Sequence, residues 1–133
     1  MSENEIVEII QQTKKKVDSE YEFGLSLRQI KNIAVKLLDK GLTREEFEMA
    51  LESTAKMRAA VNFSIDHVIG KVNANCRYYT STDYLIDRVL ISMGKSDKEY
   101  KNIPFNHLLE SEVNDIEMDL RLDCMYSRKR AMN

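Results

Sequence analysis

Apolar residues recur along this chain at spacings of three and four, the period of a helix that buries one face. Ile6, Ile10, Thr13 and Val17 form the first such stripe. Ser2 with Glu5 three residues on predicts a capping box at its start, the serine oxygen accepting from an N–H that has no intrahelical partner. The stripe fades through Tyr21 and Phe23 to Gly24, read as a turn because glycine adopts backbone angles other residues resist. A second stripe, Leu27, Ile30, Ala34 and Leu37 with Ile33 and Leu38 beside it, opens on a Ser26/Gln29 box. It closes on Lys40-Gly41, a cation near the negative helix pole followed by a left-handed glycine. Thr43 with Glu46 opens a third helix, whose inner face carries Phe47, Ala50, Leu51 and Thr54. The short connection places these two helices side by side.

Asn62 reads as the cap of a fourth helix, with Ile65, Val68, Ile69, Val72 and Cys76 on its apolar side and Gly70 marking a close crossing. Ser81 or Thr82 caps a fifth, built on Leu85, Ile86, Val89, Leu90 and Met93 and ending at Gly94. Residues 95–102 are polar and aperiodic, a loop. Pro104 suits the first turn of a sixth helix, where its missing N–H is not needed. That helix carries Phe105, Leu108, Leu109, Val113, Ile116, Leu120 and Cys124. The expectation is an all-α fold, a compact bundle of about six helices forming a single domain over residues 1–133.

Composition narrows the function classes. The 133 residues are 43% hydrophobic and 32% charged, globular and not disordered, and one Pro and four Gly are too few for a turn-rich β-sandwich. A net charge of −2 supplies no global field for nucleic acid, so any DNA contact depends on a local patch. The apolar runs are far shorter than the ~20 residues of a membrane span. The acidic N-terminus has no signal-peptide pattern, and Cys76 and Cys124 stand far apart in helical patterns, so no membrane association and a reducing cytoplasm are expected.

The chain has no G-x-S-x-G elbow, phosphate loop or dinucleotide fingerprint. Neither His67 nor His107 has a Cys, His or carboxylate at helical metal spacing on a convincing face, and both cysteines lie on apolar stripes, where a buried inert thiol is the simpler reading. The expectation is a non-catalytic protein with no cofactor and no metal. Charge is the remaining signal. The last helix carries Glu110, Glu112, Asp115, Glu117, Asp119 and Asp123 against Arg121 alone. A solvated surface explains this most simply, and a docking face for a basic partner, centred on Glu112, Asp115 and Asp119, is the functional alternative. Arg128, Lys129 and Arg130 either complement the helix pole or contact phosphate. Lys14-Lys15-Lys16 fan too widely on a helix to make one groove. Lys71, Arg77, Tyr78 and Tyr79 place cations beside aromatics, as single-strand binding needs for charge neutralisation and base stacking.

Residues 21–80 resemble the C-terminal domain of DnaD-type primosomal proteins, a helicase-loading family of low-GC Gram-positive bacteria and their phages. The match runs through Glu22-Phe23-Gly24-Leu25-Ser26, the Ala50-Leu51 pair and the Asn62-Phe63 step. Where the family carries Y-x-x-x-I-x-x-x-W, this chain keeps the aliphatic at Val68 but has Ser64 and Val72 for the two aromatics. The resemblance implies a DnaD-like core over about 21–80, with extra helices over about 82–127. It also implies a role in DNA binding and assembly for the motif helix, which carries over to Lys71 and Val72. The expected function is a non-catalytic replication accessory protein, from a phage or other mobile element, that binds a protein partner, with DNA as a second candidate ligand and self-association left open. The alternative is a small inhibitor or adaptor whose acidic helix engages a host nucleic-acid-binding protein.

Overall fold

One long helix organises the chain. The computed structural model describes residues 1–72 (side chains through 67), 81–94, 111 and 113–122. Four helices follow in order, α1 (Glu3–Glu20), α2 (Leu27–Leu38), α3 (Arg44–Val72) and α4 (Thr82–Ser92), and a fifth, α5, covers residues 113–122. No strand occurs among the described residues, so the fold is all-α. Among the described residues the helices number five and not about six, because the expected third and fourth are one. At 1.5 Å per residue, α3 is about 43 Å long.

The apparent break at Asn62 is a change of buried face. Phe47, Ala50, Leu51, Ala55 and Ala59 turn toward α1 and α2 and pack with Ile9, Ile10, Val17, Leu25, Ile30, Ile33, Ala34 and Leu37. Met57 and Val61, with Ile65 beside them, turn roughly a quarter of the way around the axis and meet Leu85, Ile116 and Leu120 in a second cluster. Between Thr54 and Val61 the helix is therefore covered on more than one side, and Ala55, Ala59 and Ala60 let the neighbouring backbones approach. α4 serves both clusters, Ile86 and Val89 in the first and Leu85 in the second.

The expected ends are mostly observed. Ser26 and Gln29 complete a capping box, and Thr43 with Glu46 makes the same reciprocal pair of bonds. Ser2 accepts from the Glu5 N–H, while the Glu5 carboxylate pairs with Arg44 at the start of α3. Ser81 is the cap of α4, and Gly41 and Gly94 adopt positive φ just past their helices. On α2, Leu27 and Leu38 are exposed, not part of the inner stripe. Cys76, Cys124, His107 and the apolar positions of 103–110 lie outside the described residues.

The α1–α2 turn departs from expectation. Phe23, not Gly24, takes the left-handed angle, with φ 57. Gly24 is needed for proximity: a Cβ there would stand 2.9 Å from the Tyr21 Cβ and 3.2 Å from the Ala59 Cβ. Asn62, no cap at all, donates from Nδ2 to the Gly24 carbonyl at 2.9 Å and ties the turn to α3. Lys14 Nζ donates to the Leu25 carbonyl at 2.7 Å from the other side.

An ionic network joins α1 to α3: Lys56 contacts Glu20 and Glu52 at 3.0 and 3.1 Å, and Lys16 reaches Glu52 at 3.3 Å. Partial burial pushes the Glu52 carboxyl up, but the Lys56 hydrogen bond and the two lysine charges outweigh it and hold the carboxyl below its ordinary 4.5. Lys56 is likewise opposed by burial, yet its hydrogen bonds to Glu20 and Glu52 raise it above 10.5. A depressed carboxylate contributes stability above its unfolded pKa and loses it as pH falls through the folded value; a raised lysine loses its contribution as pH climbs through its folded value.

Three stability outcomes follow from these contacts. Acid titration below pH 4.5 weakens the fold, and Glu52→Gln flattens that part of the urea-midpoint profile by about 0.2–1 kcal/mol, the size of exposed ion pairs. Asn62→Ala, which leaves the Gly24 carbonyl without its donor, lowers the unfolding free energy by about 1–2 kcal/mol. Thr54 is fully buried and its hydroxyl has no hydrogen-bond partner among the described residues. Thr54→Val therefore raises the urea midpoint by roughly 1 kcal/mol of stability, with an unchanged slope.

Candidate functional site

α5 packs by one side and displays the other. Ile116 and Leu120 are buried and Val113 half-buried against Met57, Val61, Ile65 and Leu85. Asp115, Met118, Asp119 and Leu122 stand opposite, at i, i+3, i+4 and i+7, and all four are exposed, Met118 to 59% and Leu122 to 44%. Asp115 and Asp119 make no ion pair among the described residues. Glu117 is different: it is half-buried and paired with Arg121 at 2.9 Å, one turn on along the helix. The displayed face is thus a mixed stripe of two carboxylates with no ion pair among the described residues and two apolar side chains.

Such a stripe can do two things at once. The carboxylates attract a cationic surface over a distance and suppress approach by phosphates. Met118 and Leu122 then offer apolar area whose removal from water holds a partner, and the unbranched thioether adapts to an irregular surface. Asp115 and Asp119 are where the sequence reading placed partner contact; Glu112, its third member, lies outside the described residues, as do Glu110 and Asp123. Met118 and Leu122 were not singled out from the sequence, although an apolar pair spaced by four on the charged side was the signal for them.

The expected nucleic-acid residues are mostly beyond description. Lys71 falls in the last turn of α3, with its side chain outside the described residues, and Arg77, Tyr78, Tyr79, Arg128, Lys129 and Arg130 lie outside them altogether. Of the cationic run on α1, Lys14 pairs with Asp18 at 2.9 Å and Lys16 with Glu52, while Lys15 is exposed. Two of those three cations are thus part of the fold's own ionic contacts. His67 is exposed on α3. Among the described residues, no group of three or more histidine, cysteine or carboxylate side chains is placed to hold a metal ion. An open cleft of about 230 Å³ separates α2 from α4, lined by Lys36, Asp39, Lys40, Asp83, Ile86 and Asp87. The Lys36–Asp83 pair at 3.0 Å joins its two walls. No described helix is long and apolar enough to cross a membrane.

No family model, curated protein or solved structure matches the chain.

Proposed function

We infer that this chain is a non-catalytic protein-binding module that engages a basic protein, of the kind that itself binds nucleic acid, through the exposed face of α5. The observation that carries this reading is the alignment of Asp115, Met118, Asp119 and Leu122 on the side of α5 turned away from the core. Carboxylates in a row compete for a groove built for phosphate, and the two apolar residues add contact that a phosphate backbone lacks. Charge reversal separates binding from folding here, because none of the four side chains is buried. Asp115→Lys with Asp119→Lys abolishes capture of the basic partner in pull-downs from the native host, while the unfolding free energy stays within about 0.5 kcal/mol of the parent, as for ordinary surface changes. Capture that survives the double reversal sinks the reading.

A second reading places the same chain in DNA replication as a helicase-loader-like accessory protein. Its support is the meeting of Glu22-Phe23-Gly24 with Asn62-Phe63, two of the segments that carry the DnaD-like resemblance, in the Asn62–Gly24 hydrogen bond. Under this reading the chain shifts single- or double-stranded DNA in gels at low salt, and Arg77→Ala and Tyr79→Ala weaken the shift. Absence of any shift removes DNA from the account and leaves protein recognition.

A further inference from the structure

α2 turns an ordered face to solvent. At about 100° per residue, Leu27, Arg28, Lys31, Val35, Leu38 and Asp39 fall within about a third of the helix circumference. Asp39 belongs to the arc because it closes the helix in an αR conformation. All six are exposed, Val35 to 61% and Leu38 and Leu27 to 40% and 38%. Leu27 and Leu38 share one edge of the arc, Arg28 and Asp39 share the other, and Lys31 and Val35 run between them. The members of each pair stand evenly to either side of position 33 along the chain.

That order is symmetric in a way scattered surface residues need not be. A two-fold axis at position 33, perpendicular to the helix, lays a second α2 antiparallel on the first. Arg28 then meets the partner's Asp39, Leu27 meets the partner's Leu38, and the aliphatic stem of Lys31 lies on the partner's Val35. The face is thus complementary to itself in charge and in apolar content, as an isologous contact requires. Antiparallel packing also brings opposite helix poles together.

Surrounding charges keep the two ends of α2 opposite in sign. At the C-terminal end, Asp39, Asp83 and Asp87 outnumber Lys36 and Lys40 around the α2–α4 cleft, and Arg44 is matched by Glu5. At the N-terminal end, Arg28, Lys31 and Arg58, the last one turn before Asn62 on α3, outnumber Glu22 and Asp66. Lys14, Lys16 and Lys56 are matched by Asp18, Glu20 and Glu52. Arg28, Lys31 and Asp39 make no ion pair among the described residues.

We propose that the outward face of α2 is a self-association surface, on which a second copy of this chain docks through its own α2 in an antiparallel, two-fold contact. Leu27, Val35 and Leu38 supply the apolar area, and Arg28 with the partner's Asp39, formed twice, sets the register. One helix of 12 residues offers less area than a permanent dimer buries, so the dimer is a weak one that forms at about 0.1–1 mM protein. The surface is separate from the α5 face.

The test is sedimentation equilibrium of the full chain over that concentration range, with NMR shifts on dilution to locate the contact. The parent dimerises, and the dilution shifts fall on α2. Arg28→Asp and Asp39→Arg each weaken dimerisation at least about tenfold, because like charges then face one another twice across the axis. Both substitutions suit the helix poles beside them, so the fold is retained. Mixing the two variants restores the dimer, as does placing both substitutions in one chain, since opposite charges face each other again. Val35→Lys abolishes the dimer with an unchanged urea midpoint, and Asp115→Lys with Asp119→Lys leaves it intact. A chain that stays monomeric throughout the range overturns the proposal, as does a dimer that survives Val35→Lys. Failure of both the mixture and the double variant to restore association also overturns it, because the contact is then not two-fold. Loss of the dimer on reversal of Asp115 and Asp119 moves self-association to α5 and overturns it equally.

Discussion

The burial of α3 on more than one side is the constraint on which the other helices depend. A helix can be approached by several neighbours at once only if its side chains there are short, and Ala55, Ala59 and Ala60 meet that requirement over a single stretch. Their small size brings the α1–α2 turn within hydrogen-bond reach of Asn62 and leaves room for a hydrogen, but no Cβ, at Gly24. Met57 and Val61 on the adjoining face receive α5, so the same short stretch of α3 supports both the turn and α5. Packing contributes most of the fold's stability; the ionic contacts between α1 and α3 are surface pairs that contribute little each and serve mainly to fix which residues face which.

Much of this architecture could be read from residue pattern, because caps are local. A serine or threonine ahead of an apolar stripe satisfies orphan N–H groups wherever it falls, and Ser26 and Thr43, each with Gln or Glu three residues later, and Ser81, a simple cap before Tyr84, all mark true helix starts. The failure at Asn62 has a definite cause. A polar residue where one apolar stripe gives way to another looks the same in sequence whether the helix ends or merely changes the face it buries. Only the partner distinguishes the cases, and Asn62's partner lies 38 residues away. Phe23 was hidden for a related reason: with a glycine next door, local reasoning assigns the left-handed angle to glycine, whereas here Gly24 is required for its small volume. Leu27 and Leu38 show the converse error, a helical stripe extended one residue too far at each end.

The candidate surfaces divide along the same line. Asp115 and Asp119 were legible because charge periodicity on a helix survives without knowledge of the fold. Glu117 was counted with them although its half-buried side chain and its pairing with Arg121 set it apart. The apolar half of the stripe, Met118 and Leu122, went unremarked because apolar residues on a helix are ascribed to the core until the core is seen to be filled by others. The α2–α4 cleft could not be anticipated at all, since Lys36 and Asp83 meet only through tertiary packing.

The sharing of α4 between two clusters bears on cooperativity. Leu85 belongs to one core and its neighbour Ile86 to the other, so the buried groups of both are joined through a single peptide bond as well as through α3. A chain with two cores on one rod can lose them separately, the smaller first, unless something makes the loss of one degrade the other. Here that coupling rests on an 11-residue helix. Whether heat or denaturant removes the structure in one transition or two is therefore governed less by the size of either core than by how firmly α4 stays seated between them.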